Sequence, residues 1–94
     1  MKTRFSRTFM KQVGKLSGKN SQLFQAMIAE VEAASTIKEI PNCKKIQGHK
    51  NAYRIRMGDY RALFVFVIVN DVVYFQYLLP RGEAYNKEYL KNLL

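Results

Sequence analysis

The run Tyr53-Arg54-Ile55-Arg56-Met57-Gly58-Asp59-Tyr60-Arg61 concentrates the residues of this chain best suited to chemistry. Strand side chains alternate between faces, so Tyr53, Ile55 and Met57 point one way and Arg54 and Arg56 the other. Read as a two-residue hairpin turn, Gly58-Asp59 pairs Met57 with Tyr60 and sets Arg56 directly across from Arg61. Like charges facing each other across an antiparallel pair are destabilising. An anionic ligand whose oxygens accept guanidinium forks offsets that cost, and phosphate is the leading candidate.

The surrounding charge agrees. Between Lys44 and Arg61 stand six basic residues against the single acid Asp59, and from Ala62 to Leu79 there is no basic residue. Arg81 re-emerges after the next hairpin, returned to the end where Arg54, Arg56 and Arg61 lie, so a pocket lined by four arginines is expected. Lys44, Lys45, His49 and Lys50 are read as RNA contacts that add affinity without sequence preference. Asp59 and Asp71 fall in tight turns and Glu83 is isolated. No Ser/His/Asp set, phosphate-cradling glycine loop or Cys/His metal spacing occurs, so neither a metal nor a cofactor is expected.

An RNA phosphodiester carries its own nucleophile in the 2′-hydroxyl. The protein must then assist deprotonation of that hydroxyl, protonation of the leaving 5′-oxygen and stabilisation of charge on the phosphoryl oxygens. Arginines answer the third need but stay protonated at any working pH. Tyr85 and His49 are the two proton-transfer candidates.

These side chains need a frame. A short strand or ordered arm is expected over 1–7. A helix is expected over 8–16, and a longer one over 20–34 with Leu23, Met27 and Val31 on one stripe. The segment 43–47 leads into the arginine hairpin. Residues 60–69 are apolar on both faces and predict a covered central strand, Asn70-Asp71 a turn, 72–79 the returning strand, and 83–94 a short closing helix. The fold class is α+β: an N-terminal strand and helical hairpin packed on a three- to four-stranded antiparallel sheet. The 94 residues are expected to form one domain, 1–94.

Sixteen Lys and Arg against seven Asp and Glu give a net charge of +9, which favours an acidic partner, nucleic acid above all. The single cysteine, Cys43, cannot form an internal disulfide. No signal-peptide core or membrane span is read, and a cytoplasmic location with no membrane partner is expected.

The segments Ile46-Gln47-Gly48, Tyr53-Arg54-Ile55-Arg56, Gly58-Asp59-Tyr60-Arg61 and Leu79-Pro80-Arg81-Gly82-Glu83-Ala84-Tyr85 together resemble the RelE/ParE superfamily of bacterial toxins. The resemblance spans essentially the whole chain. It implies a ribosome-dependent endoribonuclease that cuts messenger RNA and is neutralised by a cognate antitoxin. By the same resemblance, Arg54, Arg56, Arg61, Arg81 and Tyr85 match the catalytic positions. The two strand positions often carry lysine in RelE itself, and both are arginine here. A ParE-like inhibitor of DNA gyrase and a non-catalytic RNA- or antitoxin-binding module are the alternatives on the same scaffold.

Overall fold

The computed structural model describes residues 1–83 and 86–93. Its elements run β1 (Lys2–Phe5), α1 (Arg7–Val13), α2 (Lys19–Ala33), β2 (Cys43–Lys45), β3 (Ala52–Met57), β4 (Tyr60–Val67), β5 (Val72–Pro80) and α3 (Lys87–Lys91), with short 3₁₀ turns at Ile37–Glu39, Ile68–Asn70 and Arg81–Glu83. The five strands form one sheet in the order β1-β5-β4-β3-β2. All neighbours are antiparallel except β1, which runs parallel to β5. The α+β class holds, but the sheet is five-stranded and mixed rather than three- or four-stranded and antiparallel. The first strand is short, and its partner lies some seventy residues away, beyond the reach of local alternation.

β4 is apolar on both faces because both faces are covered. Ala62 and Phe64 join Phe9, Met27, Val31, Ile55, Phe75 and Leu78 in the core beneath α1 and α2. Leu63 and Val65 join Ile46, Ala52, Leu79 and Leu93 on the opposite face, where Tyr89 and Leu90 of α3 also pack. Each large side chain fully buried in this way contributes about 1.5–3 kcal/mol. The strand stops at Val67, however. Residues 68–70 form a 3₁₀ turn, and Asp71 takes a left-handed conformation, so Ile68 and Val69 are exposed rather than part of a longer strand.

α1 is capped by Ser6, whose Oγ accepts from the Phe9 N–H at 3.0 Å and donates to the Gln76 carbonyl at 2.7 Å. That carbonyl belongs to a bulge: Leu63 pairs with Tyr77 and Phe64 with Phe75, leaving Gln76 as an extra residue in β5. The bulge places Phe75 and Leu78 in the same core although they are three residues apart. Gln12 of α1 completes the repair, its Oε1 accepting from the Leu78 N–H at 2.7 Å. Replacing Gln12 by Leu strands that partly buried donor and is expected to cost about 1–3 kcal/mol, read as a lowered urea midpoint with unchanged slope.

Candidate functional site

The hairpin register matches the reading of its turn: Arg56 pairs with Arg61 and Met57 with Tyr60. Gly58 has φ +60°, and among the two turn residues it alone has positive φ, the pattern of a II′ turn that only glycine adopts without strain. A Cβ there would also sit 3.0 Å from Cδ1 of Leu23 on α2, so the turn is held against the helix by close approach.

Alternation then separates the side chains. Ile55 and Met57 enter the core beneath the helices. Arg54 and Arg56 take the other face, in two cross-strand rows: Lys44, Arg54 and Leu63 in one, Arg56, Arg61 and Leu79 in the next. Beyond β5, the Arg81 N–H donates to the Asp59 carbonyl at 2.8 Å, which ties Arg81 to the hairpin turn. Asn42, just before β2, has a left-handed backbone that asparagine tolerates, and its carbonyl accepts from the Arg56 N–H at 3.1 Å.

A cavity of about 430 Å³ opens here, lined by Asn42, Lys44, Arg54, Arg56 and Arg61, with Ile40 and Cys43 at its apolar edge. Arg56, Arg61 and Arg81 also line a second cavity on the other side of the turn. The single pocket of four arginines expected is instead divided: Arg54 lines the first cavity and Arg81 the second, with Arg56 and Arg61 common to both. Arg61 is the most constrained of them. Its Nη1 donates to the Gly58 carbonyl at 3.1 Å and to the Tyr60 carbonyl at 2.9 Å, which fixes the fork over the turn. Partial burial and then the charges of Arg81, Arg56 and Arg54 push the Arg61 guanidinium below its ordinary pKa, against an opposing pull from Asp59. Arginines this close repel one another, and an anion seated among them relieves the repulsion.

The remaining expected residues divide. Lys44 lies in the cavity beside Arg54. Lys45 pairs with Tyr53 on the outer strand β2 and lines neither cavity. His49 and Lys50 sit in the loop before β3, at the end of that strand away from the arginine turn, and also line neither cavity. Tyr85 lies outside the described residues. Among the described residues, no group of three His, Cys, Asp or Glu side chains is placed to hold a metal ion, and no helix is long and apolar enough to cross a membrane. The reading of single residues passed over Asn42, Glu30 and Asp59 as members of the site. Asn42 carried a signal, since a Pro-Asn pair ahead of a strand favours a left-handed turn.

No family model matches the sequence. The chain is 32% identical over 88 residues to toxin RelE3 of Methanocaldococcus jannaschii, covering 92% of this chain and 97% of that protein. The RelB–RelE antitoxin–toxin complex of Methanococcus jannaschii superposes with a TM-score of 0.74 at 27% identity, covering 89% of this chain and 96% of the matched one. The RelE–RelB complex of Pyrococcus horikoshii gives a TM-score of 0.72 at 24% identity, over 88% of this chain and 97% of the matched one, a likeness of fold. The helical hairpin on a mixed sheet with a basic end is thus the RelE-like toxin fold. The chain belongs to the RelE toxin family.

Two outcomes follow from the geometry. Arg56 is exposed and faces Arg61, so Arg56→Thr removes a cross-strand repulsion and is expected to raise stability by a few tenths of a kcal/mol, a gain that shrinks in high salt. Urea melts at low and high salt check it. Burial pushes the Cys43 thiol from its ordinary 9.0 up to about 11. In the unfolded chain the thiol loses its proton near the ordinary value. Between the two values the folded state binds more protons, and its stability falls as pH rises through that window. The advantage of the wild type over Cys43→Ala is accordingly expected to narrow between pH 9 and 11, and alkylation at neutral pH to be slow in the folded protein.

Proposed function

We propose that this chain is the toxin of a toxin–antitoxin pair and that it cuts messenger RNA in the ribosome by attack of the 2′-hydroxyl on the adjacent phosphorus. The observation that carries the reading is the convergence of Arg54, Arg56, Arg61 and Arg81 on two adjoining concavities at one end of the sheet. In such a site the guanidiniums meet the phosphoryl oxygens as their charge builds, and the partly buried, pinned fork of Arg61 needs little reorganisation to do so. The 2′-hydroxyl gives up its proton as its oxygen bonds to phosphorus, and the 5′-oxygen takes a proton as its bond to phosphorus breaks, so the products are a 2′,3′-cyclic phosphate and a 5′-hydroxyl. Tyr85, four residues beyond Arg81, is assigned the proton transfer, because His49 lies at the far end of β3.

The antitoxin is assigned as an acidic or amphipathic segment that covers the basic cavities or the helices. Support comes from the Methanococcus jannaschii neighbour, which was solved as an antitoxin–toxin complex. With such a segment bound, the repulsion among the arginines is relieved and RNA is kept out.

Purified protein added to a translation reaction, with RNA ends mapped, tests the reading. Codon-phased cuts bearing 5′-hydroxyl ends are expected. Arg61→Ala should lower the cutting rate about 10²- to 10³-fold. Arg81→Ala should remove the cuts and Tyr85→Phe should weaken them; unchanged cutting by all three variants would overturn the site.

A further inference from the structure

The second cavity has a different chemistry from the first. It measures about 550 Å³ and lies between α2 and the β3–β4 turn. Asn42, Arg56 and Arg61 line both, so the two are joined across that ridge. The first is walled by cations. The second takes its accessible apolar wall from Leu23 and Ala26 of α2, over the buried Met27 and Ile55, and two carboxylates, Glu30 and Asp59, enter its lining. Neither carboxylate forms an ion pair with Arg56, Arg61 or Arg81 among the described residues. The cations of this cavity, Arg56, Arg61 and Arg81, lie at the turn and the strand end, whereas its α2 side carries Glu30; phosphate is held by the former, so the portion of an RNA chain that fits beside Glu30 is the base: uncharged, flat, apolar on its faces and polar at its edge. The volume falls in the range of small-ligand sites, roughly 300–1,000 Å³.

We propose that the cavity between α2 and the β3–β4 turn is a nucleobase subsite, in which Glu30 selects bases carrying an exocyclic amino group over uracil. The proposal rests on the chain binding single-stranded RNA, as read above. With a phosphate on the Arg56–Arg61 ridge, the neighbouring base enters beside Leu23 and turns its edge to Glu30. A carboxylate only accepts hydrogen bonds. Cytosine, adenine and guanine offer it an amino group, while uracil presents carbonyl oxygens on either side of its single N–H. Glu30 stands in the last turn of the 15-residue helix α2, where its carbonyl accepts from the capping Ala34 N–H, so its position is set by the helix end.

Binding of uncleavable 2′-O-methyl tetranucleotides, all-C, all-A and all-U, measured by fluorescence anisotropy on the full chain, tests this without requiring catalysis. All-C and all-A are expected to bind about fivefold more tightly than all-U. Glu30→Gln, whose amide also donates, should bring all-U to within about twofold of all-C, and Glu30 is exposed, so the variant keeps the fold. The Leu23 methyl resonances should shift when all-C is added. Equal affinities in the wild type, a ratio unchanged in Glu30→Gln, or no binding at all would overturn the subsite. Discrimination without any cutting in the translation reaction would retain the subsite and remove the ribonuclease. Cutting with no dependence on Glu30 would do the reverse.

Discussion

Arg56 faces Arg61 across an antiparallel pair, and the rest of the molecule is arranged so that this unfavourable contact persists. A two-residue turn leaves no slack: moving the register by one would send Arg54 and Arg56 into the core and Ile55 and Met57 into water. Burial holds it there. β4 is enclosed on both faces, with Ala62, Leu63 and Phe64 fully buried, and its neighbours Phe75 and Leu79 are equally enclosed. A few such side chains outweigh one exposed like-charge pair, which costs at most about 1 kcal/mol. The sheet thus supplies the stability that its basic end gives up.

The same arrangement separates two duties along each strand. Tyr53, Ile55 and Met57 of β3 anchor the hairpin beneath α2, and Arg54 and Arg56 present charge on the other face, where Ala52 joins the second core. Because the turn lies close against Leu23 of α2, the helix restrains the hairpin that carries the arginines. A site that stabilises developing charge benefits from such rigidity, since donors already in place need not reorganise during the reaction. The second cavity carries Glu30 and Asp59 among its arginines, so the side of Lys44, Arg54 and Arg56 is the more uniformly cationic of the two.

Membership in the RelE toxin family is consistent with this economy. Under the proposed function an RNA substrate brings its nucleophile with it, so a small basic domain would have only to hold, orient and neutralise. The cost is a cation cluster that is self-repelling when empty. A partner that contributes negative charge would gain affinity from relieving that repulsion.

The sequence by itself determined the hairpin register, the two-sided burial of β4, the paired helices and the clustering of basic residues at one end, because each follows from local turn chemistry or from a period of two or 3.6 residues. Tertiary structure alone decided the parallel β1–β5 pairing, the bulge at Gln76 and the division of the basic end into two cavities. A parallel partner seventy residues distant leaves no periodic trace in a four-residue strand. The bulge depends on Ser6 and Gln12 reaching across from α1 to satisfy it. Glu30 and Asp59 look like a solvated helix residue and a turn residue until α2 is laid against the hairpin. What a side chain faces is set by packing between elements, and local pattern carries no information about that.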